Sequence, residues 1–256
     1  MLTRELHYLS GRLVTDLVDQ MKPRRHLKVR GGVSASVLPA SIGASVEVEA
    51  TGGDTTNRHA LAAAAFKAAA DEAGSVDHPG RYLHMRVAPI RLWVFSFKGY
   101  KRHPIALVSI DLGPTIVVLA GSAGNVSGYT SERHIDGWLP SDPIGLHQLV
   151  QFGADADLDP PMHKLLAERA QGAEAERLFF GDRPYDLATD AAFLGASILR
   201  SPDLETYAEV LAKVHVVRDD VTATLTSLQR RRRFDRVIVG APVVLREPAA
   251  QPLPRL

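Results

Sequence analysis

Few residues in this chain stand in arrangements that chemistry would use. His134 and Asp136 put an imidazole, which titrates near neutrality, two positions from a carboxylate. Such a pair could serve as general base and acid in a hydrolase. Just upstream, Gly121-Ser122-Ala123-Gly124-Asn125-Val126-Ser127-Gly128 is a small-residue loop whose backbone could approach a ligand closely. Gly121, Ser122, Gly124 and Asn125, with Arg133 and Trp138 on the segment that follows, form the candidate ligand-binding set. The loop lacks the helix-opening context and the downstream acid of a dinucleotide fingerprint. It also lacks the Lys-Ser or Lys-Thr that closes a phosphate loop. No catalytic residue is specified beyond the candidates His134 and Asp136.

Other chemical residue types read as architecture. Glu47 and Glu49 share one face of a strand, but no second cluster accompanies them, so they read as a solvated strand face. Arg24-Arg25-His26 follow a helix stopped by Pro23 and read as cations placed against the helix dipole, the alternative being an anion contact. Arg230 to Arg233 form the most conspicuous charge run. A phosphate contact is the functional reading, and a solvated helix end or turn the structural one. His147 and His163 lack the spacing of a metal site, and no metal or cofactor is expected.

Composition sets the class. The chain has 256 residues, 45% hydrophobic and 23% charged, with a net charge of +1. That is ordinary for a soluble globular protein, and no bulk field draws it to nucleic acid or an anionic membrane. The absence of cysteine excludes disulfides, thiolate metal sites and a thiol nucleophile, and fits a reducing cytoplasm. Arg4 and Glu5 interrupt any signal-peptide segment, and no apolar stretch approaches the roughly 18 residues of a membrane span. The expected location is cytoplasmic.

The elements that must position the candidate loop are legible from periodicity. Leu6 to Leu9 reads as a strand, and Ser10 caps a helix with Leu13, Val14, Leu17, Val18 and Met21 on one face. Residues 33–50 read as two strands. Residues 59–73 are alanine-rich and helical, with Gly74 as the stop. Four strands are expected between positions 81 and 121, with Pro89 dividing the first two. The last two, 105–111 and 115–120, form a hairpin around Leu112-Gly113-Pro114 and are apolar on consecutive positions, so both faces should be covered.

The second half reads as mainly helical. Cap-plus-proline starts introduce helices at 144–152, 162–180 and 187–200. Residues 204–214 fit a helical face and 210–217 a strand, and β-branched enrichment favours the strand. A last strand spans 234–246. The expected architecture is a single α+β domain over 1–246, with an antiparallel or mixed sheet and helices packed on one face. Residues 144–209 would form a helical insertion or layer, and the Pro-rich residues 247–256 a disordered tail.

Two ends and a middle carry a resemblance. The opening RELHYLS with its amphipathic helix, the closing RVIVGAPVVL and the central LAGSAGNVSG are similar to segments of an uncharacterised actinobacterial domain family of unknown function. Gly11-Arg12 stands where that family places a polar pair. The resemblance implies a high-GC actinobacterial origin and carries no catalytic residue. Three functions follow as expectations. The first is a non-enzymatic ligand-binding or regulatory domain, recognising a small phosphorylated ligand or a protein partner. The others are a hydrolase using His134 and Asp136, and a structural or assembly subunit.

Overall fold

The computed structural model describes residues 5–21, 55–96, 104–129, 146, 149, 150, 164, 167, 186–197, 202–225 and 230–249. Three helices lie among them, α1 (Gly11–Met21), α2 (Thr55–Ala69) and α3 (Leu187–Ser197). The strands are β1 (Leu6–Leu9), β2 (Ala73–Gly74), β3 (Tyr82–Phe95), β4 (Ile105–Asp111), β5 (Thr115–Ser122), β6 (Leu204–Leu225) and β7 (Arg230–Arg246). These seven form one mixed, mostly antiparallel sheet, in which only the β2–β3 and β5–β7 pairings are parallel.

Five of the strands pair in a closed circuit. β3 pairs β4, β4 pairs β5, β5 pairs β7, β7 pairs β6, and β6 returns to β3. Closure removes most exposed sheet edges and creates an interior. That interior is one continuous apolar cluster, with Ile90 and Leu92 of β3, Val108 of β4, Leu119 of β5, Val210 of β6 and Ile238 of β7 among its members. Period-two alternation sends the other face of each strand outward. Trp93, Leu107, Val118 and Val239 meet Phe193 and Leu194 of α3 on one outer sector. Elsewhere on the wall, Leu211 and Val243 meet Leu13, Val14 and Leu17 of α1. The expected hairpin is present, with Gly113 at φ +84° in its turn, and β4 and β5 are covered on both faces.

Local sequence accounts for the helices. Ser10 Oγ accepts the Leu13 N–H at 3.4 Å, and the apolar stripe of α1 faces the barrel. In α2, Ala62, Ala65 and Ala69 are buried, and their small side chains let the helix lie close to its neighbours. Asp186 caps α3, its Oδ1 accepting the Thr189 N–H at 3.3 Å.

Several expectations are corrected. Among the described residues the second half is mostly strand, because β6 and β7 fill residues 204–225 and 230–246. In β6, Leu204, Ala208, Val210, Ala212 and Val214 all contact the barrel interior, so the period of two wins over the helical period from the first residue. The arginine run opens β7 and is neither a helix end nor a turn. The helices at 11–21 and 55–69 do share one outer sector, as expected, and α3 lies on another. Residues 82–95 are one strand, so 81–122 holds three strands. Pro89 is tolerated because β3 has no described partner on its β4 side between Leu83, where β2 ends, and Arg91, so the missing N–H breaks no ladder there. Gly74 belongs to β2, where an added Cβ would collide with the carbonyl oxygen of His78. The strands read at 33–50, the residues Arg24, Arg25 and His26, the pair Glu47 and Glu49, and most of 144–180 lie outside the described residues. Leu146, Leu149 and Val150 are helical and buried against α3's sector.

Candidate functional site

The glycine loop sits at one mouth of the barrel, and its described contacts are internal. Gly121 and Ser122 end β5, and Ala123–Asn125 form one 3-10 turn. A Cβ at Gly121 would strike the phenol oxygen of Tyr8, so glycine here makes room for that ring. Asn125 Nδ2 donates to the Tyr8 oxygen at 3.1 Å. Burial pushes the Tyr8 phenol well above its ordinary range, with the Asn125 hydrogen bond working the other way. Ser122 Oγ accepts the Gly124 N–H at 3.3 Å. Four candidate ligand residues thus shape a plug in which a buried tyrosine is satisfied.

Beyond the plug the loop builds something else. Tyr8 bridges Val126, the Ser127 N–H donates to the His7 carbonyl at 2.9 Å, and Gly128 turns the chain at φ +77°. β1 is held between this segment and β7. Opposite lies the junction of β3 and β6, where Asp203 Oδ2 accepts the Val94 N–H at 2.6 Å and the Asp203 N–H donates to the Leu92 carbonyl at 2.9 Å. Between the two lips opens a cleft of about 510 Å³. Leu92, Val94, Val126 and Leu204 line it and also contact the barrel interior, so its floor is apolar. Glu5, His7, Ser127, Tyr129 and Asp203 give it a polar rim.

His7 is the unusual member. It is 9% exposed, lines the cleft, and its ring makes no hydrogen bond to any described residue. Burial holds its imidazole below the ordinary value, while Glu5 and Glu247 pull the other way. Glu247 is tied to the same lip, its carboxylate accepting the Glu5 N–H at 3.3 Å and its own N–H donating to the Glu5 carbonyl at 2.7 Å. The His7 ring is left to whatever fills the cleft, water or a ligand.

The other charged clusters are closed on themselves. Arg232 makes two 2.6 Å bonds to Asp111 and lies 4.6 Å over the Phe234 ring. Asp111 stays below its usual carboxylate range: burial would raise it, but Arg232 and the Gly113 N–H more than offset that. Arg233 pairs with Asp220 at 2.6 Å. Glu209 of β6, nearly buried, accepts from Arg246 Nε at 2.8 Å and lies 3.0 Å from His84 Nε2. Arg246 stacks 4.1 Å over Phe66, whose ring centroid is 5.1 Å from that of His84. Burial would raise the Glu209 carboxyl, and its Arg246 and His84 partners bring it below its usual range. Positions 84, 209 and 246 are brought together by strand pairing alone, so no local motif announces them.

His134, Asp136, Arg133 and Trp138 lie outside the described residues, as do His147 and His163. Tyr129, on the cleft rim, is the last described residue before them. Among the described residues no group of three or more His, Asp or Glu side chains is placed to hold a metal, and no helix is long and apolar enough to cross a membrane.

A closed barrel wrapped by helices, with an apolar floor open at one mouth, defines an α+β protein of barrel type. The chain belongs to the Family of unknown function (DUF7019), which it matches over residues 4–245. The matched span includes the RELHYLS, LAGSAGNVSG and RVIVGAPVVL stretches. No curated protein and no solved structure matches the chain.

Proposed function

We propose that this protein is a non-enzymatic ligand-binding domain whose small-molecule site is the cleft at the barrel mouth. One observation carries the reading: the floor of the cleft is apolar, made by side chains that pack on the barrel interior, while its rim is polar, the combination by which small-molecule sites bury a ligand's body and orient its end. The glycine loop serves this site indirectly. Its first half seats Tyr8, and its second half, Val126 to Gly128, forms a wall.

A phosphorylated ligand finds little support at the described rim. Among the described residues Glu5 and Asp203 line it and no Lys or Arg does, so no described cation is placed to meet a phosphate.

The test is direct titration with 1-naphthylmethanol, a neutral fluorescent probe small enough for the volume. Saturable binding that Leu204→Trp abolishes, with the melting temperature of that variant kept near the parent's, supports the site. Saturable binding that Leu204→Trp leaves intact places the ligand elsewhere and defeats the reading.

A further inference from the structure

We infer that a pocket on the barrel's outer wall, where β3 and β4 part, binds a neutral sugar ring. Tyr207 is its stacking face, and Ser109, Arg91 and Glu205 are the partners of its hydroxyls. The pocket is separate from the barrel-mouth cleft. Leu92, Val108 and Leu204 contact the interior, so their neighbours Arg91, Ser109 and Glu205 face outward.

The backbone makes this pocket. β3 and β4 pair from Phe95↔Ile105 to Arg91↔Ser109, and the same register would set Pro89 opposite Asp111. Proline has no N–H to offer there, and the ladder stops at Arg91. Beyond that point a pocket of about 580 Å³ opens, with Pro89, Arg91, Ser109, Asp111, Glu205 and Tyr207 in its lining. The β3–β6 register sets Glu205 beside Arg91 and Tyr207 beside Pro89, so two cross-strand rows meet the same opening.

Three features of the lining converge on a sugar. The first is Ser109, which is 3% exposed, lines the pocket and has a hydroxyl that bonds to no described residue. Its one donor and two acceptor positions are left to what fills the pocket. The second is matched charge. Arg91 Nε donates to Glu205 Oε1 at 2.8 Å, and Asp111 holds Arg232 by two bonds. Every charged side chain described in the lining thus has its opposite in contact, and no net field favours an ionic ligand. Hydrogen-bonding capacity nevertheless remains, because the terminal N–H groups of Arg91 and Oε2 of Glu205 bond to no described residue. Donors and acceptors side by side suit hydroxyls, each of which gives one hydrogen bond and takes others. The third is Tyr207, 49% exposed beside Pro89. An open aromatic face next to such groups fits the C–H face of a sugar whose edge carries the hydroxyls.

The experiment is a saturation-transfer NMR titration of the full chain at pH 7.5 with the methyl glycosides of glucose, galactose and mannose. At least one is expected to bind saturably. Methyl glucuronide and methyl glucosaminide, the same ring with a negative or a positive charge, should bind no tighter than the neutral glycosides. Tyr207→Ala should weaken the bound glycoside roughly fivefold through loss of the aromatic face. Ser109→Ala should weaken it by roughly as much, as one lost hydrogen bond does. Both variants should melt near the parent's temperature, because Tyr207 is half exposed and the Ser109 hydroxyl bonds nothing described in the fold. The assignment is overturned if no neutral glycoside binds, if a charged ring binds about tenfold tighter, or if both variants bind as the parent does. Displacement of the glycoside by 1-naphthylmethanol would place it in the barrel-mouth cleft and overturn the assignment too. Failure of the sugar site leaves the barrel-mouth reading standing, since Leu204→Trp tests that one separately.

Discussion

Two buried polar clusters lie on either side of the β1–β7 pairing, and they differ in one respect. At Glu209 every strong partner is present: Arg246 and His84 bond the carboxylate, and Phe66 stacks on both. At His7 the ring is equally enclosed but bonds to no described residue, and an open cleft lies in front of it. A satisfied network ties elements together, here β3, β6, β7 and α2. A ring that reaches an open cleft ties no elements together and leaves its nitrogens to water or to a ligand. The first cluster belongs to the fold and the second to the site.

Breaking the closed cluster should produce the largest effect. Glu209→Leu leaves the Arg246 guanidinium enclosed without its carboxylate, and a cost of about 3 kcal/mol or more is expected in urea unfolding. Adding Arg246→Met should recover most of it, because the pair together can be replaced by apolar groups at little cost. A Glu209→Leu loss under about 1 kcal/mol would show that the cluster is no fold element.

Gly121→Ala tests the plug around Tyr8, next to His7 in β1. The new methyl would collide with the Tyr8 phenol in a packed interior, and overpacking of this kind costs about 1–3 kcal/mol. Gly124→Ala, whose Cβ would meet only Ser122 Oγ at 3.6 Å, should be close to neutral. Equal losses at the two glycines would remove the reason given for the first.

Acid should separate the clusters further. Glu209 has a folded value below its ordinary 4.5, so its stabilisation is complete above that pH and is lost as pH falls toward the lower folded value. Asp111, held down by Arg232, behaves the same way below its ordinary 3.8. Stability of the Glu209→Leu, Arg246→Met double variant should therefore decline less steeply than the parent's below about pH 4.5. Parallel acid limbs in the two proteins would contradict this.

How much of this was legible in the sequence follows from the range of the interactions. α1, the β4–β5 hairpin and the Asp186 cap rest on contacts within a few residues, and local pattern revealed them; β1 was legible from its apolar run although its partner β7 is distant. β6 was half hidden, because Leu204, Tyr207, Ala208 and Leu211 also satisfy a helical stripe, and only pairing with β3 on one side and β7 on the other decides for strand. Barrel closure depends on the β6–β3 pairing, more than a hundred residues apart, which no local pattern encodes. The site was legible in part. The glycine loop was found, but Gly121 and Asn125 serve Tyr8, and the cleft uses the loop's other end. His7 was passed over inside a strand-like LHYL, since the one feature that marks it, a place on the cleft, exists only after folding.

The smallest effect should come from His7 itself, and its sign is informative. Its imidazole lies below the ordinary 6.5 in the folded protein because burial disfavours the charged ring, although Glu5 and Glu247 attract it. A depressed folded value means that the unfolded chain takes up the proton first. The contribution of neutral His7 is thus complete above about pH 6.5 and is lost as pH falls through the folded value. His7→Phe removes that titration and leaves no polar ring to enclose. Its stability at neutral pH should match or slightly exceed the parent's, and its decline between pH 6.5 and 5 should be shallower. Glu209→Leu, by contrast, should be less stable than the parent across that whole range. If His7→Phe instead loses as much as a broken network does, His7 is held by the fold like Glu209, and the division between a closed cluster and an open one disappears.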